Sequence, residues 1–540
     1  MRKFYKLFFI LLLLVLIVPS LAFGENYFLY DFEKSSIWHL GENSTEFVEK
    51  IAIEKNPDLL METIIPNKFI AIYTPEEKVK KKGENIPGQL TVFNVETNRT
   101  EDIIELGYYP FRWDYTKDHQ HFFISYRVAP DEDLFEVLHY NVIEQTTEKL
   151  KFASENIYDL ALSHNQDQLL VITSGKKIVP QLFVLDYAPL KIQQSALAGK
   201  NPDRLFILGE NRIALLDWDR QKDQDGSVKV IDTNSCTVVK EHVFKPMNVY
   251  TQWLEDEKIL ILVTGNIKMG SFGLKGEGDF LKITADEFIV NHTEKPWLDF
   301  EYLVDKNRLY VLYESKIEII DYHNSTSQVI KTGTNTYSTS GYIHLFQFKR
   351  LPDMEMAVIY CMRSGNFKFF DLGTNSILGD VKCGKSRFLA TLFEVDAKAV
   401  INVNTEKNKF YILNRATKDI TVLESDFKKK EFIDFNEPLL NMYQVQKPNL
   451  LTLVTTNKKI YQLNYQNNAL SVIHEFAEEV KYTYFYEDNN RLIVLSNKEL
   501  LVMDTKTLEI KNKFLLYGNP NEQYSKVSQG SLRYYFIRAL

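Results

Sequence analysis

One stretch occurs twice in nearly the same form and limits what the chain can fold into. From Asn307 it reads NRLYVLYESKIEIIDYHNSTSQVI, and from Asn490 it reads NRLIVLSNKELLVMDTKTLEI. In both, an Asn-Arg-Leu start is followed fourteen residues later by an aspartate, Asp321 or Asp504. Leu309 to Tyr313 is a short continuous apolar run, the pattern of a strand covered on both faces. Glu314-Ser315-Lys316 makes a polar tip, Ile317 to Ile320 a second apolar run, and His323 to Ser327 a polar turn before a third strand. Three strands joined by tight turns form a meander. A single meander buries too little surface to stand alone, so it must stack on copies of itself.

The copies can be followed along the chain. Glu25 to Ile51 reads as a unit lacking its leading strand. Further units begin near Asn67, Asp118, Asn165 and Asn211. Later central strand pairs are Ile259–Val263 with Phe280–Ile283, Ala357–Tyr360 with Phe367–Asp371, Ala399–Val403 with Phe410–Asn414, and Leu450–Val454 with Ile460–Asn464. The starts recur every 41 to 53 residues, and an apolar or aromatic stretch before each supplies a fourth strand. That period fits a four-stranded propeller blade. No segment of twelve or more residues after the N-terminal segment carries a helical apolar stripe. The high count of 30 Tyr and 36 Phe also suits strands.

Polar turns such as Thr116-Lys117-Asp118-His119 and Ser163-His164-Asn165-Gln166-Asp167 precede a blade's second strand. The endings Val230-Ile231-Asp232-Thr233 and Val502-Met503-Asp504-Thr505 close its third. On these residues the chain resembles the bacterial YVTN/WD40-like β-propeller superfamily over nearly its whole mature length. Gly-His does not occur and Trp-Asp occurs only at Trp113-Asp114 and Trp218-Asp219, so the repeated signature of true WD40 repeats is absent. The resemblance implies an all-β propeller of about eleven four-stranded blades and no particular activity. Eleven units exceed the four to eight blades of one ring. Two propellers are therefore expected, 25–295 and 296–540, divided near Lys295-Pro296. The apolar run Leu532 to Leu540 offers a closing strand for the first unit, and in that case the termini share a ring.

Residues 1–24 read as a signal peptide. Arg2, Lys3 and Lys6 precede the apolar core Leu7 to Val18, and Ala22-Phe23-Gly24 is a small-x-small cleavage pattern. Export follows, with the mature chain starting near Glu25; the competing reading is a retained anchor. Without those three basic residues, 61 Lys and Arg face 72 Asp and Glu, a net charge of −11. That disfavours nucleic acid and anionic membrane surfaces. The three cysteines, Cys236, Cys361 and Cys383, permit one disulfide, with Cys361–Cys383 the most plausible pair, but read better as buried thiols.

Candidate chemistry is sparse. Gln221, Asp223, Asp225, Gly226 and Asp232 resemble a calcium loop, with alternate oxygen ligands, a glycine at the sharp turn and a closing acid. Asp223, Asp225 and Asp232 are its candidate ligands. The first position is Gln rather than Asp, the last is Asp rather than Glu, and a solvated hairpin tip gives the same sequence. His119 and His121 stand two apart on one side of a strand, but zinc needs further ligands. Gly265, Gly270, Gly273, Gly276 and Gly278 suit a long hairpin and match no phosphate loop. Lys78, Lys80, Lys81 and Lys82 form a basic tip. The aromatic runs Tyr108 to Trp113 and Tyr482 to Tyr486 suit strands or sugar stacking. No catalytic residue and no cofactor emerges. The expected role is a binding or scaffold module of the cell envelope, with a protein or envelope component as partner. The alternative is an enzyme of hydrolase, lyase or oxidoreductase type with its site at a channel mouth.

Overall fold

The computed structural model describes the chain except residues 1–26, 32–35, 41–47, 53–56, 75–86, 131, 176–178, 219–224, 246–247, 266–267, 271–272, 334–345, 352–353, 362–365, 385–399, 405–408, 416, 429, 448–449, 465–466, 487–490, 497–498, 516–533 and 540. The expected signal segment therefore lies outside the described residues. Among the described residues the structure is strand throughout, with one short 3-10 turn at Val304–Lys306. The strands form eleven four-stranded antiparallel sheets, each a blade of the propeller kind, and one two-stranded hairpin.

The seventh blade shows how the repeated stretch folds. Trp297–Leu303 is the inner strand, Arg308–Tyr313 and Lys316–Asp321 are central, and Thr326–Lys331 is outermost. The central strands are buried almost end to end, while the outermost is exposed at nearly every position. This burial is what the unbroken apolar runs require.

The Asn-Arg-Leu…Asp spacing has a direct explanation. Arg308 stands opposite Asp321 across the two central strands, and its guanidinium binds the Asp321 carboxylate at 2.9 Å. The other Asp321 oxygen accepts the backbone N–H groups of His323 and Asn324, both at 3.0 Å, and so closes the turn to the outermost strand. The same aspartate, or an asparagine, recurs at the same place. Asn94, Asn141, Asp232, Asp371 and Asp504 each accept backbone N–H groups two or three residues ahead. Four residues beyond each, the chain turns left-handed: Asn98, Gln145, Cys236, Ser325, Asn375 and Leu508 have φ between 53° and 63°. Arg212 and Asp232 repeat the ion pair. One carboxylate thus ties two central strands and the following turn.

Two observations bear on how the blades join. The first blade is completed by the C-terminal strand, since Tyr534–Ala539 pairs with Tyr27–Asp31. Each of ten hydrophobic clusters joins a pair of consecutive blades, from the first to the eleventh. One of them packs Ile261, Val263 and Phe280 of the sixth blade against Trp297, Leu309 and Val311 of the seventh, across Lys295-Pro296. The ninth blade differs from its sequence reading. Val400–Asn404 is its inner strand rather than a central one, and Lys409–Asn414 and Asp419–Glu424 are central.

Candidate binding cleft

The inner strands are linked by side chains rather than by a backbone ladder. In the third blade Asp114 stands near the end of the inner strand Tyr108–Tyr115. One of its oxygens accepts the N–H of Leu162, on the inner strand of the fourth blade, at 2.8 Å. Gln252 of the sixth blade accepts the N–H of Tyr302 at 3.0 Å, and Glu301 of the seventh accepts the N–H of Arg350 at 3.1 Å. Asp114, Gln252 and Glu301 each lie two residues before the residue that opens the first turn, Thr116, Leu254 and Leu303.

A second level lies two residues earlier. Asp159 accepts the N–H of Leu205 at 2.8 Å, and Asp299 that of Phe348 at 2.7 Å. At the matching place in the third blade Arg112 donates instead, to the Tyr158 carbonyl at 2.8 Å. All five bonds to N–H groups span 46 to 50 residues, one blade.

Burial raises the acids of these rungs. Asp299 is pushed up to about 6, with its bonds to the Phe348 and Phe300 N–H groups opposing the burial. Glu301 is pushed up to about 7, chiefly by burial, with the Asp299 charge adding to it. Asp114 and Asp159 are also raised by burial. Two carboxylates with raised pKa on one strand look like an acid–base pair. Here each is already occupied by a backbone donor of the next blade, in a register that other blades repeat.

The rungs are interrupted beside the fifth blade. Its inner strand, Pro202–Gly209, sends no side chain to the backbone of the next inner strand, Asn248–Leu254, among the described residues. A cleft of about 590 Å³ opens there, lined by the third to sixth blades. Its wall carries Trp253, which meets Phe206 with ring centroids 5.6 Å apart and lies under Lys258, whose ammonium is 6.0 Å from the ring centre. Arg204 and Lys117 are exposed on its rim, as are His164 and Glu255. The Arg204 charge acts on Asp159, and that of Glu255 on Asp114. No hydrogen bond or ion pair engages the guanidinium of Arg204 or the ammonium groups of Lys117 and Lys258 among the described residues.

The residues singled out in the sequence fall elsewhere. Asp223 lies outside the described residues. Asp225 and Asp232 stand at opposite ends of the strand Gly226–Asp232, on the order of 20 Å apart at about 3.3 Å per residue. The structure does not bring them together. Asp232 is engaged by Arg212, by the Ser235 N–H at 2.9 Å and by the Ser235 hydroxyl at 3.0 Å. Gly226 is explained by packing: a Cβ there would collide with the Phe244 ring. His119 and His121 diverge. His119 lies in a left-handed turn, with Nδ1 3.0 Å from the Glu62 carbonyl. His121 Nδ1 is 2.9 Å from His139 Nε2, and burial pushes His139 down to about 4.

Among the described residues no group of three or more His, Cys, Asp or Glu is placed to hold a metal ion. The glycine-rich segment forms the hairpin Lys268–Gly270 with Gly273–Lys275. Lys78, Lys80, Lys81 and Lys82 lie outside the described residues. The two aromatic runs lie in inner strands, Tyr108–Tyr115 and Val480–Tyr486. Cys236 sits half-buried in a turn, and Cys383 is buried.

No family model matches the chain, and no curated protein does. Solved structures are similar only distantly. The dihydro-heme d1 dehydrogenase NirN, in complex with DHE, is 10% identical, with 86% of this chain and 76% of that chain covered and a TM-score of 0.32. AztD of Citrobacter koseri is 11% identical, with 65% and 93% covered and a TM-score of 0.30. Hydrazine synthase of Kuenenia stuttgartiensis is 11% identical, with 69% and 96% covered and a TM-score of 0.29. Likeness this distant assigns no activity.

Proposed function

We propose that the chain is an exported β-propeller that binds a ligand or partner of the cell envelope at the cleft beside Trp253. The observation that carries this reading is the repeated register of the inner-strand rungs. An acid that recurs one blade later on the same kind of donor is accounted for by architecture. The raised pKa values of Asp299 and Glu301 then need no catalytic role. The guanidinium of Arg204 and the ammonium of Lys117 have no hydrogen bond or ion pair among the described residues, and a cleft with a few convergent polar groups is the usual form of a binding site. Export rests on the N-terminal basic, apolar and small-residue pattern, and no helix among the described residues is long and apolar enough to cross a membrane. Nucleic acid is disfavoured by the charge of −11 that follows from 61 basic and 72 acidic residues in the mature chain.

We also infer that the two termini belong to one ring, because they share a sheet and the packing continues through Lys295-Pro296. Deleting 534–540 then opens the first blade and lowers the melting temperature of the whole chain. Separate rings 25–295 and 296–540 would each fold alone.

The binding reading is tested with a photo-crosslinking residue in place of Lys117, and a control in place of Ser235, in the mature chain. With the native envelope fraction, the reading predicts adducts at Lys117 and none at Ser235. Equal labelling at both would overturn it. So would turnover of the captured ligand that is lost in Asp299→Asn/Glu301→Gln, which would favour the enzyme reading.

A further inference from the structure

The cleft's lining also narrows the chemistry of its ligand, an inference that rests on the binding reading above. Arg204, Lys117 and Lys258, whose charged groups have no hydrogen bond or ion pair among the described residues, come from three different blades and line one opening. Three cations around one opening favour an anion, and a guanidinium favours a planar carboxylate that it can grip with two parallel bonds. Trp253 is only partly buried and lines the same cleft. The part of its ring that Phe206 and Lys258 leave uncovered offers an apolar surface to a flat or pyranose ring.

Glu255 decides between kinds of anion. It is exposed on the same rim, accepts hydrogen bonds and donates none. A phosphate, which carries acceptors and up to two charges, would be repelled by it. A ring bearing one carboxylate and several hydroxyls satisfies both kinds of group, because each hydroxyl donates as well as accepts. The volume of about 590 Å³ accommodates two or three such rings and lies within the range of small-ligand sites.

We propose that the cleft binds an acidic saccharide of the uronic acid type, with a carboxylate on Arg204, a sugar ring against Trp253 and hydroxyls toward Glu255 and Lys117.

The test is isothermal titration of the mature chain with four probes: tri-galacturonate, neutral galactotriose, tri-glutamate and inorganic phosphate. Binding of tri-galacturonate is expected, with the neutral sugar and phosphate at least tenfold weaker. Losing one charge-assisted bond costs about tenfold or more, so Arg204→Ala should weaken the acidic sugar by that factor. Trp253→Leu should weaken it too, and so should Lys258→Ala, which removes one of the three cations and leaves the Phe206 contact in place. Arg204 is exposed, so an unchanged circular dichroism spectrum separates lost binding from misfolding. Galactotriose, tri-glutamate or phosphate binding as tightly as the acidic sugar, with Arg204→Ala still weakening that binding, would overturn the ligand class and keep the cleft. Binding of tri-galacturonate unchanged by Arg204→Ala and Lys258→Ala would overturn the assignment of residues. Silence from every probe, together with no crosslink at Lys117, would remove both readings.

Discussion

Asp321 and Asp299 are both aspartates of the seventh blade that accept backbone N–H groups, yet their protons behave oppositely. Partial burial alone would raise Asp321, but the Asn324 N–H, the Arg308 guanidinium and the Asn324 side chain hold it below the usual carboxylate range. Asp232, held first by the Ser235 N–H, is lowered too, as are Asp371 and Asp504. Asp299 has backbone donors and no cation, and burial outweighs them, raising it to about 6. The difference teaches that a perturbed acid in this fold reports its place in the blade. Turn acids are lowered by the N–H groups of the turn they close, and inner-strand acids bridging two blades are raised by burial.

The contrast can be broken by removing one acid of each kind. Asp321→Ala loses two turn bonds and leaves Arg308 without its partner, so it should cost about 2–4 kcal/mol in urea unfolding. Asp299→Ala leaves the Phe348 N–H unsatisfied and should cost about 1–3 kcal/mol. Asp299→Asn keeps an acceptor and removes a desolvated charge. It should therefore lie within about 1 kcal/mol of the parent at pH 7.5, or above it. Asparagine at 321 loses the charge that pairs with Arg308 and should be clearly destabilising.

Changing pH sharpens the same contrast. Asp299 and Glu301 have folded pKa values above their unfolded ones. Their contribution to stability is full below about pH 4 and is lost as pH rises through about 6 and 7. Asp232, Asp321, Asp371 and Asp504 are lowered. They contribute fully above pH 3.8, and the contribution disappears as pH falls through their folded values. His139 is lowered to about 4, so its share is complete above its unfolded value near 6.5 and declines as pH falls toward 4. A His139→Phe variant should flatten that decline between pH 6.5 and 4, read from melting temperatures. The smallest effect is at the cleft: Arg204→Ala should change stability by less than about 0.5 kcal/mol, because Arg204 is exposed and its guanidinium makes no hydrogen bond among the described residues.

Much of this fold was legible in the sequence because its signals are local. Apolar runs such as Leu309–Tyr313 and turn residues such as Asp321 lie close together in the chain, and they located eleven units. The pairing of Tyr27–Asp31 with a strand some 500 residues later could be anticipated only from the missing leading strand. The ninth blade was misplaced by one strand because Ala399–Val403 is as apolar as a central strand. The site was not legible. Asp114, Asp159, Gln252, Asp299 and Glu301 are single polar residues in apolar strands, and their partners lie a whole blade away. Their one sequence trace is a polar residue two or four places before the first turn of a blade. The cleft arises where that trace is missing, as at Ala161 and Phe206, and an absence is hard to read. The Asp225-Gly226 pair invited a calcium loop. Gly226 serves the Phe244 ring, and Asp232 ties the two central strands of its blade to the turn that follows them.

The most direct test is the melting temperature of the mature chain and of Asp299→Asn/Glu301→Gln, compared from pH 4 to pH 8. If these acids are rungs between blades, the variant matches or exceeds the parent at pH 8, and the two curves converge toward pH 4. A variant that melts far below the parent at pH 8 would mean that the charged forms hold the blades together, contradicting the account.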